Sequence, residues 1–74
     1  MNRNEKIAKL CNAIWEYRGR MNSEMTHWKQ PPRPSALQRV VNWCERLNLP
    51  VFETIQKIES FKRAEEFNAW LKTL

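Results

Sequence analysis

Two thiols and one imidazole are the side chains of this sequence best suited to nucleophilic or metal chemistry. Cys11, His27 and Cys44 could supply a thiolate with a general base, or soft ligands for zinc. No pair among them has a C-x-x-C or H-x-x-x-H spacing, so a metal site is not expected. Each cysteine also lies on a predicted apolar helix face, where a thiol is more often a small core residue. We therefore expect both cysteines to be buried, reduced thiols.

The rest of the composition excludes further classes of catalytic site. All eight acidic residues are Glu and there is one Gly, so there is no EF-hand, Ser-His-Asp triad or Gly-rich phosphate loop. Ser35 could pair with His27, but nothing in their spacing favours it. Glu65 and Glu66 point about 100° apart on a helix and cannot share a proton. A chain of 74 residues also cannot easily enclose a substrate cleft. The sequence predicts a non-enzymatic protein without cofactor or small-molecule substrate.

Positive charge is concentrated in the first half of the chain. Residues 1–39 carry eight cationic and three acidic side chains, a net charge of +5, whereas residues 40–74 carry five of each. Cations neutralise phosphates, and aromatic rings stack on bases. A candidate nucleic-acid contact is therefore formed by Arg18, Arg20, His27, Trp28, Lys29, Arg33 and Arg39. The alternative is an ordinary solvated surface, with Trp28 packed in the core beneath the prolines.

Tryptophans suggest a second candidate surface, since four occur in 74 residues. Trp15 and Trp43 each lie beside, rather than on, the main apolar seam of a predicted helix. They either widen the core face or form an interface with another protein or a second copy of the chain, because Trp dominates interface energetics. Self-association would also compensate for the small core of so short a chain. Trp15 and Trp43 are the candidate protein interface.

The elements that must position these residues are predicted to be helices throughout. Apolar residues recur at spacings of three and four, which predicts a single all-α domain, a small bundle of three to four helices. The first helix is predicted over residues 4–28, because its apolar phase continues across Gly19. The other option is that it stops at Gly19 and restarts near Asn22 or Ser23. A proline-rich link is predicted over 29–34, and shorter helices over 35–47, 50–59 and 61–73.

Local signals indicate where several of these helices begin and end. Asn2 and Ser35 each precede a Glu or Gln by three residues, which is typical of a capping pair. Asn48 suits a left-handed helix end, and Pro50 the first turn of the next helix. The helix predicted over 50–59 has an apolar stripe formed by Val51, Phe52, Ile55, Ile58 and Phe61. Because these residues recur mainly every three positions, the stripe drifts around the surface of the helix.

The sequence favours a cytoplasmic binding protein. The first residues lead into no apolar signal segment, and no apolar run approaches the roughly 18 residues of a membrane span. The leading hypothesis is a small regulatory or accessory module that acts by protein–protein contact through its amphipathic first helix and its tryptophans. The alternative is a nucleic-acid-binding protein that uses the basic region between Arg18 and Arg39, with Trp28 as the stacking residue.

Overall fold

The computed structural model describes residues 1–21 and 28–74 of the chain. Within these residues the chain forms four helices and no strand, which confirms the predicted all-α bundle with a long first helix. The helices are α1 (Arg3–Arg18), α2 (Pro34–Arg46), α3 (Val51–Ser60) and α4 (Ala64–Lys72). Over the same ranges, no helix is both long enough and apolar enough to cross a membrane.

Helix α1 begins as predicted, at a side-chain cap. The Oδ1 atom of Asn2 accepts a hydrogen bond from the backbone N–H of Glu5, at 2.8 Å. This bond satisfies one of the four N–H groups that have no partner inside a helix. The predicted capping pair at this end is therefore confirmed.

The same helix ends at Arg18, so the predicted helix over 4–28 is wrong. Gly19 follows with a φ of 78°, a backbone conformation that residues with a Cβ rarely adopt, and it stops the helix. Met21 is buried but not helical, so it prolonged the apolar period of the sequence without prolonging the helix. The alternative prediction that the helix stops at Gly19 is confirmed. The restart near Asn22 or Ser23 lies outside the described residues.

The link that follows Gly19 returns to the end of α1 and pairs with it. The backbone N–H groups of Gln30 and Arg33 donate to the carbonyls of Arg18 and Tyr17, each at 3.0 Å. The side-chain amide of Gln30 donates to the carbonyl of Glu16, also at 3.0 Å. These three carbonyls belong to the last turn of α1, where a helix has no partners of its own. Helix α2 therefore begins beside the end of α1 and runs back along it, and this pair has the most extensive packing between helices.

Helix α2 begins on a proline instead of a capping side chain. Pro34 occupies the first helical position, where its missing N–H is not needed, and Arg33 before it makes no side-chain capping bond. Ser35 thus lies inside the first turn, and the capping role predicted for it is wrong. The helix nevertheless starts within one residue of its predicted position.

The turn between α2 and α3 has the left-handed residue that the sequence predicts. Asn48 has a φ of 57°. Its N–H donates to the carbonyl of Glu45 at 3.1 Å, and the N–H of Leu49 donates to the carbonyl of Cys44 at 2.9 Å. This is the Schellman arrangement of a helix end. Pro50 is the N-cap of α3, one position before the first-turn position predicted for it.

The core lies between α1 and α2 and is closed by α3 and α4. Its most deeply buried large side chains are Leu10, Ile14, Val40, Cys44, Leu47 and Ile58. On the α4 side, Phe67 makes edge-to-face contacts with Trp28 and Phe61, with ring centroids 5.2 and 5.9 Å apart. Arg3 donates to the carbonyl of Leu74 at 2.6 Å, which holds the end of α4 near the start of α1.

The drifting stripe of α3 leaves one large aromatic residue in solvent. Ile58 and Phe61 are buried, and Val51 and Ile55 are half-buried, but Phe52 is 70% exposed. This exposure agrees with the drift that the spacing of three predicts. A spacing of three falls behind the 3.6-residue turn, so one end of such a stripe leaves the core.

Candidate interaction surfaces

Trp28 lies in the core and has no face available for a nucleic-acid base. It is only 3% exposed, its ring packs edge-to-face with Phe67, and its indole N–H donates to the carbonyl of Ile58 at 2.9 Å. The prediction that Trp28 is a stacking residue is wrong in this structure. The alternative interpretation of Trp28 as a core residue is confirmed, and its contacts are with Phe67 of α4 and Ile58 of α3.

Two arginines of the predicted nucleic-acid contact form ion pairs with glutamates of this chain. Arg18 is ion-paired with Glu59 of α3, and its Nε donates to the carbonyl of Gln30 at 3.1 Å. Its side chain is only 13% exposed. Arg39 of α2 is ion-paired with Glu16 of α1, and both of those side chains are about half exposed. Both arginines therefore connect elements of the fold, and neither offers its full charge to a partner.

The two ion pairs are expected to differ in strength, because Arg18 is largely buried and Arg39 is not. A double-mutant cycle of Arg18→Ala with Glu59→Ala should give a coupling energy of about 1 kcal/mol, since the pair is shielded from water on the arginine side. The matched cycle of Arg39→Ala with Glu16→Ala should give less than about 0.5 kcal/mol, as exposed pairs do. Urea unfolding of the seven proteins, the native chain being common to both cycles, measures both couplings. Equal couplings would show that Arg18 has no special structural role.

The remaining cations of the predicted set surround the end of α1. Arg20, Lys29 and Arg33 are exposed, and the segments that carry them, 19–21 and 28–33, contain no acidic side chain. These positive charges also stabilise α1, because the C-terminal end of a helix carries a partial negative charge. His27, the last member of the set, lies outside the described residues. We refer to Arg20, Lys29 and Arg33 as the basic end.

Trp15 and Trp43 are half-buried, and each has an arginine over its ring. The Cζ atom of Arg20 lies 4.0 Å from the ring centroid of Trp15, and that of Arg46 lies 4.6 Å from the ring centroid of Trp43. Both tryptophans also pack against the core. We call these two arrangements the Trp–Arg stacks. The structure thus places both predicted interface residues at the surface, on two different helices.

Sequence reasoning missed the arginine of one stack and assigned that of the other to the nucleic-acid surface. Arg46 follows Trp43 by three residues on a helix, a spacing that brings side chains together and could have identified the pair. Arg20 follows Trp15 by five residues, which is not a contact spacing within a helix. It reaches the ring because the helix ends at Arg18 and the chain changes direction at Gly19.

Two shallow clefts lie on the surface of residues 1–21 and 28–74. One, of about 460 Å³, is lined by Asn42, Glu45 and Arg46 next to the Trp43 stack. Another, of about 470 Å³, is lined by Lys57, Phe61, Glu66, Ala69, Trp70 and Thr73. Among residues 1–21 and 28–74, no three Cys, His, Asp or Glu side chains are close enough to hold a metal ion.

Both cysteines are free, buried thiols with little tendency to ionise. Burial raises the pKa of the Cys11 thiol from 9.0 to about 11, and the nearby Arg20 guanidinium opposes this only in part. Burial likewise raises the pKa of Cys44 to about 11, against a hydrogen bond from the Thr54 side chain that lowers it. A thiol that stays protonated is a poor nucleophile, so neither cysteine has the properties of a catalytic residue.

These raised pKa values predict a loss of stability in alkaline solution. Between about pH 9 and pH 11 the two thiols ionise in the unfolded chain but keep their protons in the folded one. The free energy of unfolding should therefore fall over this range, by up to about 1.4 kcal/mol per pH unit for each thiol. Tyr17, whose pKa burial also raises, acts in the same direction.

Urea unfolding between pH 7 and pH 10.5 tests this expectation, with the Cys11→Ala/Cys44→Ala double variant as control. The double variant should lose stability less steeply with pH than the native sequence, retaining only the contribution of Tyr17 and other groups. Parallel pH profiles for the two proteins would contradict the assignment.

The geometry of these surfaces is the basis on which a function can be inferred. No family model, no curated protein and no solved structure matches this chain.

Proposed function

We propose that this protein is a small non-enzymatic regulatory or accessory module that binds another protein, or a second copy of itself, through Trp15 and Trp43. The observation that carries the proposal is the pair of Trp–Arg stacks, in which two tryptophans packed against the core remain partly exposed at the surface. Tryptophan and arginine are the residue types most enriched among the side chains that dominate binding energy. Each ring still has apolar area to bury, and a partner would bury it.

The position of Trp15 on α1 supports this proposal. Helix α1 buries Leu10, Ile14 and Tyr17 on its inner face, while Trp15 lies at the border between that face and solvent. A partner that contacts Trp15 would extend the existing core outward instead of forming a separate one. The free thiols at Cys11 and Cys44 are compatible with a reducing compartment such as the cytoplasm, where we propose that the protein acts.

Nucleic-acid binding is a second candidate, favoured by the three exposed cations of the basic end. With Trp28 buried and two arginines engaged in ion pairs, Arg20, Lys29 and Arg33 are left for phosphates. Three phosphate contacts predict that log affinity falls with log salt at a slope of roughly −2 to −3. A titration of labelled single-stranded and duplex oligonucleotides at several salt concentrations would measure that slope.

Affinity capture and light scattering test the protein-contact proposal. The tagged native chain should retain a partner, or self-associate with rising concentration, and Trp15→Ala or Trp43→Ala should weaken that binding by at least about tenfold. Because both rings also pack against the core, circular dichroism must first show that each variant is folded. Phe52→Ala removes another exposed aromatic ring that belongs to neither stack, and it should bind like the native chain.

Three results would contradict the proposal. The first is a protein that stays monomeric and retains no partner. The second is full binding by a folded Trp15→Ala/Trp43→Ala double variant. The third is loss of the partner on Phe52→Ala alone, which would move the interface to α3.

A further inference from the structure

We infer that the Trp15–Arg20 stack, at the basic end, is a docking point for an acidic segment of a partner protein, in which carboxylates flank apolar side chains. This inference rests on the proposed function and adds the chemistry of the partner.

The geometry of the stack prepares the arginine for a carboxylate. The Cζ atom of Arg20 lies 4.0 Å from the centre of the Trp15 ring, and Arg20 as a whole is exposed. A guanidinium group that stacks on an aromatic face directs its N–H groups outward in its own plane. A carboxylate can accept two of these N–H groups in that plane without moving the arginine off the ring. Because the ring already restrains the side chain, less rotamer entropy is lost on binding.

The charge around this stack complements an anionic partner. Lys29 lies next to Gly19, so its charge and that of Arg20 belong to one end of the molecule, together with Arg33, whose N–H is bonded to Tyr17. Segments 19–21 and 28–33 contribute three cations and no carboxylate side chain. Glu16, in the last turn of α1, is ion-paired with Arg39. Three exposed cations on neighbouring segments raise the local concentration of anionic partners.

The structure favours an acidic protein over a nucleic acid at this position. A base could stack on Trp15 only by displacing the Arg20 guanidinium, because Trp15 is half-buried against the core and Arg20 lies over its ring. Tyr17 and Trp28, two other aromatic residues near this end, are buried. A carboxylate needs no such displacement, and an apolar side chain beside it can contact the exposed part of Trp15.

The second stack provides an internal control with the same residue types. Arg46 lies 4.6 Å from the ring of Trp43, but Glu45 is its neighbour in sequence and lines the same cleft. A carboxylate of the chain itself therefore lies beside Arg46 and opposes an acidic ligand. The inference predicts that the acidic segment prefers Arg20 to Arg46.

Titration of the full-length ¹⁵N-labelled protein with an acetylated Glu-Leu-Glu-Glu-Leu-Glu peptide tests the inference by NMR. The peptide should bind saturably and shift the indole N–H resonance of Trp15. Arg20→Gln should weaken binding by about fivefold to tenfold. Arg20→Lys should weaken it to a similar extent, because an ammonium group lacks the planar fork. Arg46→Gln should change it by less than about twofold.

The same titration with two other probes, a basic peptide and a single-stranded oligonucleotide, tests whether this end of the protein recognises carboxylates. A peptide with Lys in place of Glu should not bind, and equal binding by it would overturn the inference. A single-stranded oligonucleotide that binds more tightly than the acidic peptide, and loses affinity with Arg20→Gln, would assign this end to nucleic acid instead. Absence of saturable binding by the acidic peptide would also overturn the inference. If Trp15→Ala still abolished capture of a partner in that case, the proposed function would stand and only the acidic chemistry would fail.

Discussion

Replacement of Trp28 by alanine is expected to lower the free energy of unfolding by about 3–5 kcal/mol, which is most of the stability of a domain this small. The ring is 3% exposed and packs against Phe67, so its removal leaves a large cavity. The variant also loses the indole N–H that satisfies the carbonyl of Ile58, near the end of α3. Urea unfolding followed by circular dichroism measures the change.

Trp28→Phe separates the two contributions. It keeps an aromatic ring in the cavity but removes the N–H group, and it should cost about 1–3 kcal/mol. If Trp28→Ala instead lowered stability by less than about 1 kcal/mol, the indole would not be part of the core. Trp28 would then return as a candidate for stacking on nucleic-acid bases.

Gly19→Ala is expected to cost about 2–3 kcal/mol of the free energy of unfolding, although it adds only a single methyl group. Gly19 has φ 78° and ψ 173°, a region of backbone conformation that is almost exclusive to glycine. A Cβ placed there would lie 2.9 Å from the Cβ of Lys29 and 3.2 Å from the Cγ of Gln30. The substitution would therefore strain the backbone and push the link away from α1.

Asn48 provides the matched control for this prediction, since it is the described non-glycine residue with positive φ. Its φ of 57° lies in the ordinary left-handed region, which asparagine tolerates. Asn48→Ala should cost about 1 kcal/mol, and Asn48→Gly should be close to neutral. Thermal unfolding of the three variants measures the order. A Gly19→Ala variant no less stable than Asn48→Ala would show that the link has room to move.

The helices could be predicted well because their signals are local. The apolar period, the Asn2 cap and the Asn48 turn lie within a few residues of the positions that they determine. The end of α1 left two alternatives open, because Gly19 indicates a stop whereas Met21 continues the apolar period from a non-helical position. Phe52 lies in solvent because it belongs to an apolar pattern repeated every three residues, a period that does not match a helix.

The candidate surfaces could be predicted only where a side chain's environment follows from its own helix. Trp15 and Trp43 lie at the edges of their apolar faces, and the structure leaves both half-exposed. The positions of Arg18 and Trp28 depend on Glu59 and Ile58, which are distant in sequence. Contacts of this kind are determined by tertiary packing, and no spacing within the first half of the chain indicates them.

The placement of the prolines in the link disfavours a slip of one residue in the register between the link and α1. The N–H groups that pair with α1 belong to Gln30 and Arg33, whereas the residues without an N–H are Pro31, Pro32 and Pro34. A slip of one residue forward would put prolines at both donor positions, and a slip backward would put Pro32 at one of them. Each slip therefore loses at least one hydrogen bond to the end of α1. The prolines thus help to fix which residues of the link pair with α1. They thereby also help to fix the point along α1 at which α2 begins.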